Sequence, residues 1–215
     1  AETLESNYPE VKPGSTVRVA RNGQIIRLGE QRIIKEFVFA DPGFFDLFSF
    51  DLISGDPARA LSDPSGVVLT AATAESLALE PDPLGKTLTL RIGETDRDFT
   101  VMGIVRSIPG NSSLRFDGLL PFADVFEALQ IDPGNNDFVT LPMFATTFLE
   151  LPDETAAAAL RAKLPALSDR LYGEMWKQVK MEPPKEGLGL LHLPDYHLGG
   201  IPAAGARHSH RDGAK

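Results

Sequence analysis

The sequence predicts an α+β fold, because strand patterns and helix patterns both recur along its 215 residues. Residues 86–92 alternate polar and apolar side chains with a period of two, which is typical of a half-buried strand. In the last third, leucines recur at intervals of four, three and four residues, which is typical of an amphipathic helix (Leu160, Leu164, Leu167 and Leu171). A chain of this length can form one large domain or two small ones, each with a real core.

Composition excludes several classes of function. The net charge is −9 and no stripe of basic residues occurs, so we expect no nucleic-acid partner. Without cysteine, the chain has no disulfide, no thiolate metal site and no cysteine nucleophile. Its acidic start lacks the apolar region of a signal peptide, and no run of about 18 apolar residues is present to span a membrane. We therefore expect a globular domain cut out of a larger protein.

The first 40 residues predict a helix followed by strands. A short helix is expected within residues 1–12, where two prolines then end it. Residues 15–21 alternate as a strand, and the pair Asn22-Gly23 is a strong signal for a two-residue hairpin turn. Residues 24–29 would form the return strand, and a longer strand follows over residues 32–40.

A dense group of aromatic residues follows the third strand. We predict a short helix pressed into the core here, with Asp41 as its N-cap and Pro42 at its first position. Its apolar residues lie too close together for solvent (Phe44, Phe45, Leu47, Phe48 and Phe50). Such a cluster is usually core, although it could also line an apolar binding pocket.

The middle of the chain predicts a strand, a helix and a hairpin. A helical turn at residues 56–61 precedes a short buried strand at residues 66–70. Thr70 is then placed to cap a helix over residues 71–79, with Ala74 and Leu77 facing the core. Residues 86–105 would form a hairpin, whose second strand is so continuously apolar that both its faces should be covered.

The tripeptide Gly85-Lys86-Thr87 resembles the end of a phosphate-binding loop. Such a loop needs a glycine five residues before the second one, and Glu80 stands there instead, where a carboxylate would repel phosphate. The loop should also follow a strand and open a helix, whereas here the order of flanking elements is reversed. We interpret Gly85-Lys86-Thr87 as a helix-to-strand turn.

The last third predicts a strand, a long helix and a closing strand. Residues 143–151 should be extended, and a helix should start at residues 152–153. Pro165 lies inside the leucine pattern and predicts a kink or a break into two helices, because proline removes a hydrogen bond and clashes backwards. Residues 188–198 would form the closing strand. The tail, residues 199–215, has no periodicity and is expected to be disordered.

No constellation of reactive residues stands out. His192, His197, His208 and His210 lack the carboxylates and spacing of a metal site, so we predict structural roles for the first two. The three acids around the phenylalanines could form a catalytic pair only if a cleft held them together, and no partner base lies nearby (Asp41, Asp46 and Asp51). We predict no catalytic, cofactor-binding or metal-binding residue.

Four segments follow one another along the chain in an informative order: FVFADPGFFDLFSFDLISGDPARAL, SGVVLTAATAESLAL, DPLGKTLTL and DFTVMGIVRSIPGNSSLRFDGLLPF. This ordered set of motifs resembles the MacB-like periplasmic core domain of ABC transporter permeases. The matching positions include an aromatic pair, a glycine before a helical turn, a turn of the d-P-x-G-k type and an apolar strand ending in Gly-Ile-Val (Phe44, Phe45, Gly55, Asp82, Pro83, Gly85, Lys86, Gly103, Ile104 and Val105). A later loop and Phe-Asp pair also match (Pro109, Ser112 or Ser113, Phe116 and Asp117). The resemblance covers about residues 30–198.

The resemblance implies two subdomains. A porter-like βαβ layer would comprise residues 1–55 and residues 118–198, and a sabre-like α/β subdomain, residues 56–117, would be inserted into it. The tail, residues 199–215, would lead to the next membrane helix, and the helix within residues 1–12 would continue the preceding one.

The resemblance also implies a function without catalysis. Such a domain lies in the periplasm as part of a bacterial inner-membrane permease, and it transmits ATP-driven conformational change across the membrane for export or extrusion. The implied partners are a cytoplasmic ABC ATPase, reached through the membrane helices, a second permease copy, and a periplasmic partner or substrate. No cofactor is implied. The alternatives are a periplasmic ligand-binding or sensor module, with the phenylalanines lining its pocket, and a hydrolase using Asp, Ser and His.

Overall fold

The computed structural model of the chain describes residues 2–28, 31–79, 81–108, 112, 114–130, 145–179 and 188–193. The chain divides into two compact units, residues 1–156 and residues 157–215. The first unit contains the sheet and most of the helices, so the mixed α+β class predicted from the sequence is the class observed.

Strands and short helices alternate through the first unit. The strands of the described residues are β1 (Thr16–Leu28), β2 (Gln31–Ala40), β3 (Leu52–Gly55), β4 (Gly66–Thr70), β5 (Thr87–Ile92), β6 (Thr95–Val105), β7 (Gly118–Pro121) and β8 (Ala145–Leu149). The helices are α1 (Glu2–Asn7), α2 (Phe44–Leu47), α3 (Pro57–Ala60), α4 (Ala71–Ser76), a 3-10 turn (Phe122–Asp124), α5 (Val125–Ala128) and α6 (Glu154–Val179). None of these described helices is both long enough and apolar enough to cross a membrane.

Six strands close into a ring of hydrogen-bonded neighbours. The order around the ring is β1, β2, β7, β4, β6 and β5, and β5 returns to β1 through three residue pairs. The pairs β2–β7 and β4–β6 are parallel, and the others in the ring are antiparallel. Strand β3 adds to β6, and β8 adds to the first part of β1. Closing a sheet on itself leaves the ring strands few free edges and restrains each strand from both sides.

Two apolar clusters lie on opposite faces of this sheet. Successive strand residues point to opposite faces, so Phe37 and Phe39 join one cluster while Val38 and Ala40 join the other. The first cluster takes side chains from all six ring strands and is closed by residues of α4 and α5. The second cluster lies on the other face beneath α2 and α3.

The first hairpin turn does not lie at Asn22-Gly23, where the sequence predicted it. Strand β1 runs through Asn22-Gly23 without interruption, and its ladder with β2 continues to the pair Leu28↔Gln31. A local preference for a turn competes here with ten residue pairs of antiparallel ladder, and the longer ladder prevails. Residues 29 and 30, which follow β1 in the chain, lie outside the described residues.

The middle of the chain follows the prediction closely. The Thr70 side chain accepts a hydrogen bond from the N–H of Thr73 and caps α4, and Ala74 and Leu77 are buried. Helix α4 ends at Ser76, three residues earlier than predicted, and Ala78 adopts a positive φ of 53° as the chain turns away. The β5–β6 hairpin is present, with a buried residue at every second position of β5 from Leu88 onward.

Helix α6 does not break at Pro165. It continues from Glu154 to Val179 as one helix, so of the two predicted outcomes, a kink or a break into two helices, the break is wrong. Pro165 is exposed, whereas Leu160, Leu164 and Leu167 are buried on both sides of it. Burial of this apolar stripe on either side of the proline outweighs the lost hydrogen bond and the steric clash.

Replacing Pro165 with alanine should therefore stabilise the protein. We expect the free energy of unfolding to rise by about 1–2 kcal/mol, which is less than the full penalty of an interior proline because the unfolded chain also gains freedom. Urea denaturation followed by circular dichroism measures this. An unchanged or lower midpoint would contradict the expectation.

The predicted closing strand is also absent from the residues that the structure describes. Residues 188–193 form a bend and irregular backbone, and the side chains of Leu191 and Leu193 are 45% and 43% exposed. Alternating leucines favour a strand only where a neighbouring strand edge receives them, and no such pairing involves these described residues. Residues 194–198, and the predicted disordered tail at residues 199–215, lie outside the described residues.

Candidate functional site

The turn at Gly85-Lys86-Thr87 does not have the form of a phosphate loop. Gly85 has a φ of +76°, its N–H donates to the carbonyl of Val101 at 2.9 Å, and strand β5 begins at Thr87. The ammonium group of Lys86 donates to the carbonyl oxygen of Leu79, just after α4. The lysine therefore satisfies a backbone carbonyl just beyond the C-terminus of α4, as cations near helix C-termini commonly do.

Histidines do not gather into a site within the described residues. His192 is exposed, and His197, His208 and His210 lie outside those residues. Throughout the part of the chain that is described, no group of three or more His, Asp or Glu side chains is arranged to hold a metal ion.

Asp41 does not cap α2, which corrects the prediction. The N-cap of that helix is Gly43, without a side-chain cap. The Asp41 carboxylate is engaged instead by Arg18 of β1: one oxygen accepts from the Arg18 N–H at 2.8 Å and from Nε at 2.9 Å, and the other accepts from Nη2 at 2.7 Å. A bidentate guanidinium is a stronger partner than a backbone N–H, so the carboxylate turns to it.

Arg18 also contacts an aromatic ring. Its guanidinium carbon lies 4.1 Å from the ring centroid of Phe122, a distance at which the ring face attracts a cation. Asp41 and Phe122 thus hold one arginine between the end of β2 and the turn that follows β7.

The three acids around the phenylalanines, for which no catalytic role was predicted, do not share a site. Asp51 pairs with Nε of Arg106 at 2.7 Å, and both side chains are largely exposed. Asp46 is exposed on α2. Because Asp41 and Asp51 each bind a separate arginine, this geometry does not support a shared-proton carboxylate dyad.

The phenylalanine cluster is built around one buried ring. Phe44 is fully buried, and four other rings contact it with centroids 4.9–6.0 Å away (Phe45, Phe48, Phe50 and Phe116). Edge-on and stacked contacts at these distances are typical of aromatic core packing. The cluster belongs to the second apolar cluster of the sheet, which supports the core interpretation of these residues.

The open edge at the start of β1 carries two carboxylate caps, which sequence reasoning did not find. Strand β2 begins to pair with β1 only at Val19, so the N–H groups of Thr16 and Arg18, which share an edge, have no strand partner on that side. Glu5 of α1 accepts from both the N–H of Thr16, at 3.2 Å, and its hydroxyl. Asp41 accepts from the N–H of Arg18. Each carboxylate replaces a missing strand acceptor.

The cap shifts the titration of Glu5. The hydroxyl of Thr16 and then the backbone of Gly14 donate to the carboxylate and hold the pKa of Glu5 below its ordinary value of 4.5, against the opposing effect of burial. A depressed pKa means that the folded state favours the ionised form.

Stability should therefore depend on the Glu5 charge in acid. The contribution of Glu5 is fully present above its unfolded pKa and is lost as pH falls through the lower folded pKa. We expect the difference in the free energy of unfolding between the wild type and Glu5→Gln to shrink between about pH 5 and pH 3. Urea titrations across this range measure it, and a difference that grows with acid would contradict the sign.

A second ion-pair group ties the β5–β6 hairpin to α5. Nη1 of Arg97 donates to Asp124 at 2.7 Å and to Glu127 at 3.1 Å. Burial raises the pKa of Asp124, and Arg97 opposes that effect. The buried second oxygen of Asp124 has no hydrogen-bond partner among the described residues. This arrangement positions two elements and holds no nucleophile with a base.

Comparisons with known proteins agree with the resemblance seen in the sequence. The family model for the MacB-like periplasmic core domain matches residues 1–167. A crystallised domain described as a permease protein from Porphyromonas gingivalis is 22% identical, with a TM-score of 0.58 over 79% of this chain and 68% of that one. The periplasmic region of MacB from Actinobacillus actinomycetemcomitans is 18% identical, with a TM-score of 0.57 over 80% and 72%.

A third structure extends the similarity. The extracellular domain of YknZ, a noncanonic ABC-type transporter from Gram-positive bacteria, is 14% identical, with a TM-score of 0.53 over 89% of this chain and 86% of that one. At these identities the structural matches show the fold alone. No curated protein sequence matches the chain.

Proposed function

The chain belongs to the MacB-like periplasmic core domain family of ABC transporter permeases. From this we propose that the domain transmits motion: when ATP hydrolysis moves the membrane helices of a permease, the domain carries that movement to the periplasmic side. The proposal places the domain in a bacterial inner-membrane protein whose ATP is hydrolysed by a cytoplasmic ABC ATPase. A second permease copy and a periplasmic partner or substrate complete the proposed assembly. The domain itself performs no chemistry.

The closed strand ring supports this role. A body that transmits displacement must not deform under load, and each ring strand here is held by a neighbour on both sides. The ring encloses one apolar cluster, and a second cluster covers part of its outer face. Close-packed interiors resist compression and transmit strain.

We propose that the chain is divided into two subdomains, each made of the following segments. Residues 1–55 and 118–198 would be the porter-like part, and residues 56–117 the sabre-like insert. Strands of the proposed insert pair with strands on either side of it, because β4 joins β7 and β5 joins β1. Displacement that reaches one proposed part would therefore pass to the other through hydrogen-bonded strands.

Transmission can be tested in the permease that carries this domain, reconstituted with its ATPase. A spin label at the exposed Thr147 should report a change in distance between two permease copies when an ATP analogue is added. Flexible Gly-Ser insertions at both junctions with the membrane helices should abolish this change and leave ATP hydrolysis in place.

An insertion of equal length between Pro81 and Asp82, both exposed, is the matched control and should preserve the change. A label distance that does not respond to nucleotide in the unmodified permease would overturn the transmission role.

A further inference from the structure

We propose that Glu5 is a latch that makes helix α1 and the sheet move as one rigid body. The inference rests on the proposed function for its purpose, because displacement reaches the sheet only if the segment that delivers it does not bend. Helix α1 is the described element that precedes the sheet in the chain, so the joint between α1 and β1 is where such bending would occur.

The latch consists of one carboxylate and two donor groups of one residue. The N–H and the hydroxyl of Thr16 both donate to Glu5. Thr16 is 6% exposed, so water cannot readily replace the carboxylate. Hydrogen bonds to an ionised acceptor are shorter and stronger than those between neutral groups. The bond joins residues eleven apart in the chain and bridges a helix to a strand.

The connecting segment carries short-range backbone hydrogen bonds. The N–H of Tyr8 donates to Leu4, that of Val11 donates to Tyr8, and that of Ser15 donates to Lys12. These bonds join residues three or four apart, and they shape each turn without fixing the direction of α1 against β1. The Glu5 bond spans the whole segment, from α1 to β1.

Loss of the Glu5 hydrogen bonds should not detach β1 from the sheet. The start of β1 is held on its other edge by β8, where Thr16 pairs with Leu149 and the N–H of Glu150 donates to Ser15 at 3.0 Å. Loss of the Glu5 carboxylate should therefore free α1 while β1 stays in the sheet. This separates a latch from a residue that only stabilises the fold.

A distance measurement on this chain tests the proposal directly. The chain has no cysteine, so Ser6→Cys on α1 and Thr147→Cys on β8, both exposed, give two unique spin-label positions. Double electron–electron resonance should show a narrow distance distribution in the otherwise unmodified chain. Glu5→Ala should broaden it, and Glu5→Gln, which keeps an acceptor oxygen, should restore most of the narrow distribution.

Amide hydrogen exchange supplies an independent readout. In Glu5→Ala, the Thr16 amide should exchange at least about tenfold faster, which corresponds to a lost protection of 1.4 kcal/mol. The Arg18 amide, capped by Asp41 on the same strand edge, should be unaffected.

The matched control is Asp41→Ala, which removes the other cap. It should speed exchange at Arg18 and leave the distance distribution between α1 and β8 narrow. A distribution that stays narrow in Glu5→Ala, or that is already broad in the unmodified chain, would overturn the latch. Both measurements use the isolated chain and need no ATPase, so their failure is distinct from a failure of the transmission test in the full permease.

Discussion

Replacing Phe44 with alanine is expected to lower the free energy of unfolding by about 3–5 kcal/mol, which is the usual cost of removing a buried aromatic side chain. The Phe44 ring is fully buried, and four neighbouring rings surround it. Its removal leaves a cavity that these rings, each held by other contacts, can fill only in part. Urea denaturation of the chain, followed by circular dichroism, measures the loss.

The size of this effect separates the two interpretations of the phenylalanine cluster. Phe44→Leu keeps most of the volume and should cost clearly less than Phe44→Ala. If Phe44→Ala cost under about 1 kcal/mol, the rings would not be close-packed core. An apolar pocket, and with it a ligand-binding role, would then become the better account of these residues.

Placing a single methyl group on Gly118 should destabilise the fold by about 3 kcal/mol, at the upper end of overpacking effects. A Cβ at this position of β7 would lie 2.4 Å from Cε1 of Phe37 and 2.8 Å from the carbonyl oxygen of Val68. Phe37 is fully buried and Val68 belongs to a neighbouring ring strand, so neither can move aside cheaply.

Gly173 provides the matched control for this substitution. It lies within α6, and a Cβ there would meet no atom within 4 Å. Gly173→Ala should raise stability by about 0.5–1 kcal/mol, because alanine favours a helix interior more than glycine does. Opposite signs of the two changes in stability, measured by thermal or urea unfolding, would confirm that position 118 must be glycine because neighbouring atoms leave no room for a side chain. A small loss of stability in Gly118→Ala would contradict it.

Local patterns in the sequence predicted the elements whose determinants are local. The cap at Thr70, the alternation of β5 and the turn at Gly85 depend on residues a few positions apart, and all three are observed. The ordered motifs identified the family, because they sample the chain from Phe44 to Asp117. The sequence could therefore indicate both the class of fold and its relatives.

Predictions failed where distant residues decide the outcome. No turn forms at Asn22-Gly23, because these residues pair with β2 in the ladder. Asp41 does not cap the helix that follows it, because its carboxylate binds Arg18, which lies 23 positions earlier. The break at Pro165 was prevented by leucines buried around it. The Glu5 cap was missed for the same reason, since nothing near Glu5 in the sequence marks Thr16 as its partner.

Strand β1 pairs with three partners, and this has a consequence for how the chain matures on the ribosome. Its first residue, Thr16, pairs with Leu149, while its last residues pair with β2 a few positions away. The β1–β2 hairpin can form as soon as it emerges, and β5 can then pair with residues 25–27 of β1, but residues 16–20 must wait for their partner until β8 has been synthesised. Such late, non-local pairing slows folding and leaves a strand edge open to other chains in the meantime. Nascent chains truncated before residue 145 should accordingly be the ones that chaperones retain.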